Sequence, residues 1–278
     1  MITDEETNTL YIADTLSKSY PAFYQDFRKV LKDCGVEPLS LPDTRDVWAV
    51  DYMPVQVNLQ KFIRFNYRPK YLKTPAELIT ISATASICAS IGIIASPSDL
   101  VIDGGNVIKG RQKVILTDRI FKENPGYSKR QLMKVLEVLL EVDQVIFVPE
   151  QLGDYTGHAD GMIRFLNDDT VLINDYSKEN KAFKKAFETA IWEAGLHYET
   201  IPYNPYSNKN YDQANGCYIN YLQMEGLIIL PVYSLPEDEI AVRLFEDLFR
   251  GQTVKSVHSN EIALQGGVLN CITWNIRV

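Results

Sequence analysis

Three residue types able to act covalently on a small molecule stand out from the chain. A histidine and an aspartate lie two positions apart in "GHADGMIRFL" (His158, Asp160), a cysteine sits in "GGVLNCITW" (Cys271), and an aspartate heads "DYMPVQ" (Asp51). On an extended strand, residues i and i+2 leave the same face. His158 and Asp160 would then stand side by side wherever that strand lines a cavity. Each residue also has a plain structural reading. A lone histidine can be a packed core residue, a strand-end aspartate commonly bonds turn amides, and a cysteine in an apolar run packs as a small hydrophobe. A thiol with an imidazole alone suits acyl transfer. Two further carboxylates would repel an oxyanion and suit a cation, above all a planar guanidinium, whose N–H fork pairs bidentately with carboxylates.

The elements that must position these groups recur along the chain. Short β-rich runs, "TLYIAD", "KFIRFNY", "KVILTD", "TVLIND" and "GLIILPVY", begin at residues 9, 61, 113, 170 and 226, a spacing of 52 to 57. A helical pattern follows each. In "SKRQLMKVLEVLLEV" the apolar residues 132, 135, 136, 139 and 140 mark one buried face. A second strand comes next, such as "QVIFVPE" or "HYETIPY". A polar loop then leads into a third: "VWAVDYMPVQ", "DGGNVIKG", "GHADGMIRFL", "GCYINYLQM" and "GGVLNCITW". A fixed period of this length is the mark of a repeat architecture; an ordinary doubly wound sheet with coincidental spacing is the alternative. The expected fold is α/β, five strand-helix-strand-strand repeats in a ring over residues 1–278, with the N-terminal strand completing the last repeat so that no edge stays open. In such a ring the loops around Asp51, Asp103, His158, Gly216 and Gly266 face one another.

On this scheme Cys34 and Cys88 belong to helix packing, and Cys217 ranks behind Cys271 as a nucleophile because its strand position is out of phase. A straight strand would turn Trp48 away from Asp51, so Trp48 reaches the site only if the chain bends there. Charge and composition narrow the function classes. The chain has 278 residues, 46% apolar, with a net charge of −8. It lacks the basic face a nucleic acid requires. The cysteines show no zinc spacing and read as reduced thiols of a cytoplasmic protein. The acidic start has no signal-peptide pattern. "ELITISATASICASIGIIAS" is too rich in Ser and Thr for a membrane span and reads as a buried helix running into a strand. No metal and no cofactor are expected. A homodimer stays open.

"VWAVDYMP", "DGGN", "GHADGMIRF" and "GGVLNCITW", in this order, resemble the agmatine deiminase and bacterial peptidylarginine deiminase family of the guanidine-modifying pentein superfamily. That resemblance covers essentially the whole chain and implies a five-bladed α/β propeller. It implies Cys271 as nucleophile, His158 as general acid and base, and Asp51 and Asp160 as the carboxylates that clamp a guanidinium. Trp48 falls at the tryptophan of the family's Trp-x-Arg-Asp signature and would wall the pocket; Asn220 and Asn106 would join the substrate-binding set. Two positions depart from the pattern: Val50 replaces the usual arginine, and Asn270 stands where many members carry histidine. The implied reaction is hydrolysis of a small cationic guanidine, agmatine first and peptidyl or free arginine as alternatives. A catalytically silent pentein that binds a partner is the rival from outside enzymology. Arg64 and Arg164 are the candidates for holding an α-carboxylate, and the tyrosine-rich "PYNPYSNKNYDQANGCY" for the far end of agmatine.

Overall fold

The computed structural model describes residues 1–206 and 213–278, and among these the strands form five three-stranded sheets. The first sheet begins with β1 (Thr9–Ala13) and β2 (Leu39–Leu41). The second holds β3 (Val55–Gln56), β4 (Phe62–Asn66) and β5 (Ala95–Val101). The third holds β6 (Ile108–Lys109), β7 (Lys113–Thr117) and β8 (Gln144–Val148). The fourth comprises β9 (Ile163–Phe165), β10 (Thr170–Asn174) and β11 (His197–Ile201). The fifth comprises β12 (Leu222–Met224), β13 (Leu227–Val232) and β14 (Thr253–His258). The last strand, β15 (Thr273–Ile276), returns to the first sheet and pairs antiparallel with β1, Thr9 opposite Ile276. This pairing joins the two ends of the chain and closes a five-bladed α/β propeller, as the repeats predict.

Every blade is built alike. The five β-rich runs of the sequence are the central strands β1, β4, β7, β10 and β13. Each pairs antiparallel with a short inner strand and parallel with an outer one, as β10 does with β9 and β11. A parallel neighbour needs a crossover, which a helix supplies. The helix Lys129–Leu140 shows how sequence sets its geometry: Leu132, Leu136 and Leu140 are buried on one face, and Ser128 opens it with a capping box to Gln131.

Two expectations need correction. The "AELITISATASICAS" helix is broken into Pro75–Leu78 and Thr84–Ser90. Its hydroxyls serve backbone elsewhere, Ser82 accepting from Arg45 N at 3.0 Å and Thr84 donating to Tyr52 O at 3.0 Å, which competes with helix continuation. The stretch is not buried as a unit either; Thr84, Ile87 and Cys88 are, while Ile94 is 90% exposed. Among the described residues no helix is long and apolar enough to cross a membrane.

The second correction bears on the site. The loop-proximal residues expected at the start of each inner strand lie in a tight turn just before it. Asp51 is in the helical turn Ala49–Tyr52, Asp103 immediately precedes the turn Gly104–Asn106, His158 immediately precedes the turn Ala159–Gly161, and Cys271 lies in a turn that precedes β15. Strand alternation therefore does not aim His158 and Asp160. A single helical turn does, and it carries both inward.

Candidate active site

Because the inner strands ring the central channel, each blade delivers one such turn to the same place. The first blade brings Cys271, the second Asp51, the third Asp103, the fourth His158 and Asp160, and the fifth Asn220. His158 is 4% exposed, Asp160 2% and Asn220 3%. The His158 ring lies between two carboxylates: Nε2 is 2.9 Å from Asp103 Oδ2, and Nδ1 is 3.4 Å from Asp51 Oδ1. Cys271 Sγ donates to Asp160 Oδ2 at 3.3 Å and accepts from Asn220 Nδ2 at 3.2 Å. Asn220 Oδ1 accepts from the backbone amides of Asn270 and Cys271, at 3.1 and 3.3 Å, which locks the amide orientation. The bend before Asp51 also turns Trp48 into the cavity.

Glycine makes the convergence possible. A Cβ on Gly105 would come within 2.6 Å of Asp51 Oδ1 and 2.9 Å of His158 Nδ1, while its own N–H donates to Asp51 at 3.0 Å. A Cβ on Gly267 would meet the Trp48 ring at 2.6 Å and Cys271 Cβ at 3.0 Å. These glycines leave the room in which side chains from separate blades touch.

The electrostatics follow from burial and from these pairs. Burial pulls the His158 pKa down, but Asp51 and Asp103 outweigh it and hold the imidazolium up to about 10. Asp51 is pushed up to about 8, chiefly by burial and further by the neighbouring carboxylates Asp103 and Asp160, with His158 acting in the opposite sense. Burial, then Asp160 and Asp51, push the Cys271 thiol well above its ordinary value. The nucleophile candidate rests as a thiol, lining the same cavity as a protonated imidazole.

Above this floor lies a cavity of about 690 Å³, its open mouth included. Trp48, Tyr67, Tyr71, Leu72 and Tyr155 give it aromatic and apolar walls, and Asp46, Asp51, Asp154 and Asp160 give it negative charge. No lysine or arginine is among its described lining residues. Among the described residues there is also no cluster of three or more His, Cys, Asp or Glu suited to a metal ion.

Several sequence expectations are placed elsewhere. Asn106, expected to bind substrate, is not in the cavity wall; its Oδ1 accepts from Thr117 N at 2.9 Å and Thr117 Oγ1 at 3.0 Å, a structural tie between its turn and β7. Arg164, a candidate for an α-carboxylate, is 3% exposed and paired with Asp4 Oδ2 at 2.5 Å. Neither it nor Arg64 lines the cavity. Of the tyrosine-rich stretch, residues 207–212 lie outside the described residues, and Tyr203 and Tyr206 line a neighbouring cavity; the aromatic wall comes from other segments. Cys217 does reach the cavity wall, but its thiol, 3.5 Å from Gly161 O, is pushed up to about 12, first by burial and then by Asp160. Asp103 is the residue that sequence reasoning left without a role. Its equivalence to Asp51 and His158 in the repeat was the signal that could have found it.

The family model for the Porphyromonas-type peptidyl-arginine deiminase matches residues 2–276. The chain belongs to this family. A Streptomyces coelicolor protein provisionally named agmatine deiminase is 26% identical over 264 residues, covering 87% of this chain and 74% of the relative. The agmatine deiminase of Stutzerimonas stutzeri is 28% identical over 207 residues, covering 62% and 56%. Most of these curated matches span only about three fifths of the relative's own length. The solved structure of a C. jejuni agmatine deiminase has the same fold, with a TM-score of 0.79 at 16% identity, covering 99% of this chain and 94% of that one. Against the peptidyl-arginine deiminase family pattern, Val50 has a backbone task that its side chain does not affect: its amide donates to Cys271 O at 3.2 Å, and its carbonyl lies where a Cβ on Gly104 would have to go. Val50 lines a separate cavity rather than the one above Cys271.

Proposed function

We propose that the chain is a guanidine deiminase acting on agmatine or a closely similar decarboxylated guanidine, releasing ammonia and leaving a urea. The observation that carries this reading is the composition of the cavity: a thiol and an imidazolium at the floor, four carboxylates in the walls, and no described cation to receive an α-carboxylate. Free arginine would require such a cation. Peptidyl-arginine remains the alternative substrate, and a silent binding protein would have no use for the thiol, imidazole and carboxylate set.

A guanidinium stays protonated at neutral pH. Asp51 and Asp160 would hold its N–H groups and offset its charge. The same cation, arriving beside Cys271, would counter the carboxylates that hold the thiol proton, and that proton leaves to solvent. The thiolate attacks the guanidinium carbon, forming the S–C bond. His158 then gives its proton to one departing nitrogen as the C–N bond breaks, and ammonia leaves, taking up the proton released earlier. Water next gives a proton to His158 while its oxygen bonds the carbon of the thiouronium intermediate. Collapse breaks the S–C bond, returns the hydroxyl proton to sulfur and releases the urea. The Asp103 contact keeps the imidazole aimed through both transfers.

Ammonia release from agmatine, free arginine and a doubly blocked arginine peptide, with Cys271→Ala as control, tests the proposal. Turnover of agmatine in preference to the others, reduced to background in the variant, is the expected result. Turnover that survives Cys271→Ala, or preference for free arginine, would overturn it.

A further inference from the structure

From Asp160 a continuous, partly buried chain of polar contacts leads out of the catalytic floor through residues that do not line the cavity. Asn270 Nδ2 donates to Asp160 Oδ2 at 2.8 Å, the same oxygen that faces the Cys271 thiol. Asn270 Oδ1 accepts from Arg164 Nη1 at 3.1 Å. The guanidinium of Arg164 also donates to Tyr221 O at 3.0 Å, packs 4.6 Å from the centroid of the Tyr221 ring, and pairs through Nη2 with Asp4 at 2.5 Å. Asp4 is held on its other oxygen by Lys109 Nζ at 2.5 Å.

An asparagine amide has two chemically opposite ends, and nothing in its own shape decides which one meets a carboxylate. Here Arg164, which can only donate, takes the oxygen and so forces the NH₂ toward Asp160. We propose that Arg164 is a positioning residue: acting through Asn270, it fixes the Asp160 carboxylate for the guanidinium and disperses its charge beside Cys271. The inference rests on the guanidine reading for what Asp160 holds, but not for the coupling itself. It also accounts for the departure at position 270. With asparagine in place of histidine, the group next to the nucleophile cannot titrate, and its orientation comes from a buried cation that stays charged.

The test is a double-mutant cycle of Arg164→Lys and Asn270→Ala. Lysine keeps the charge against Asp4 but lacks the fork that spans both partners, so the pair that anchors the N-terminal segment survives. Two readouts are taken: the pH midpoint of Cys271 alkylation by iodoacetamide in the substrate-free protein, resolved by mass spectrometry, and kcat and KM on agmatine. Each single variant should raise the alkylation midpoint, because an undispersed Asp160 charge holds the thiol proton more firmly. Each should also raise KM about tenfold or more, the effect of a lost hydrogen bond to a buried charge. The double variant should be no worse than Asn270→Ala alone. An unmoved midpoint in both single variants, or effects that multiply in the double, would overturn the proposal. If the wild-type protein turns over no guanidine, the deiminase reading fails, while the alkylation midpoints still decide whether Arg164 acts through Asn270.

Discussion

His158 is bracketed by two carboxylates, at 2.9 and 3.4 Å, whereas Cys271 lies between one carboxylate at 3.3 Å and a neutral amide at 3.2 Å. Both groups are buried to a similar degree, so solvent does not distinguish them. The neighbours do. Carboxylates hold the proton on the imidazole against the effect of burial. On the thiol side, the Asn220 donor lowers the thiol pKa but does not match burial, the adjacent Asp160 and the more distant charge of Asp51, and the proton stays on sulfur until a cation arrives. One side of the floor is charged in advance; the other waits for its substrate to complete the charge balance.

Breaking the charged side should have the largest effect. Asp103→Asn keeps a hydrogen-bonding shape beside His158 Nε2 but removes the charge. On the proposed mechanism kcat should fall by about 10²- to 10⁴-fold, the contribution typical of a well-placed acid and base. The pKa of His158, followed by NMR of the ring, should drop from about 10 toward its ordinary value. Unchanged kcat with a lowered pKa would separate the imidazole from the chemistry.

Gly105→Ala presses on the imidazole at its Asp51 contact, since the added methyl collides with Asp51 and His158. Overpacking of this kind costs about 1–3 kcal/mol, measurable as a lower urea midpoint, and the alkylation rate of Cys271 should change less than the His158 titration. Equal disturbance of both would mean that the two sides are one rigid unit.

The smallest effect is on stability as a function of pH. The native His158 pKa lies above its unfolded value, so its pairing stabilises the fold fully below about pH 6.5, and that contribution is lost as pH rises toward about 10. The Tm should therefore decline as pH rises from about 6 to 10, and His158→Gln should flatten that decline. A Tm that climbs over this range would contradict the assigned protonation.

Much of this architecture was legible from residue types and spacing. The five central strands follow from apolar runs at a regular period, and Cys271, His158, Asp160 and Asp51 follow from their equivalent places in the repeats. What failed did so for local reasons. Asn106 looked like a site residue because "DGGN" is a site motif, but its own contacts tie it to Thr117. Strand alternation would aim His158 and Asp160 to one face, but a helical turn performs that task. Periodicity reports which residues are apolar and how often, and it says little about a three-residue turn.

By itself, then, the sequence determined the blade count, the closure of the ring by its two ends, and the reactive residue types available at the channel, because hydrophobic period and repeat equivalence are one-dimensional properties. Tertiary structure alone decided which carboxylate grips which ring nitrogen, that Arg164 faces Asn270 and leaves the cavity without a described cation, and that Gly105 must have no side chain. Those relations join residues from different blades, and the distances between them are set by how the blades pack around the channel.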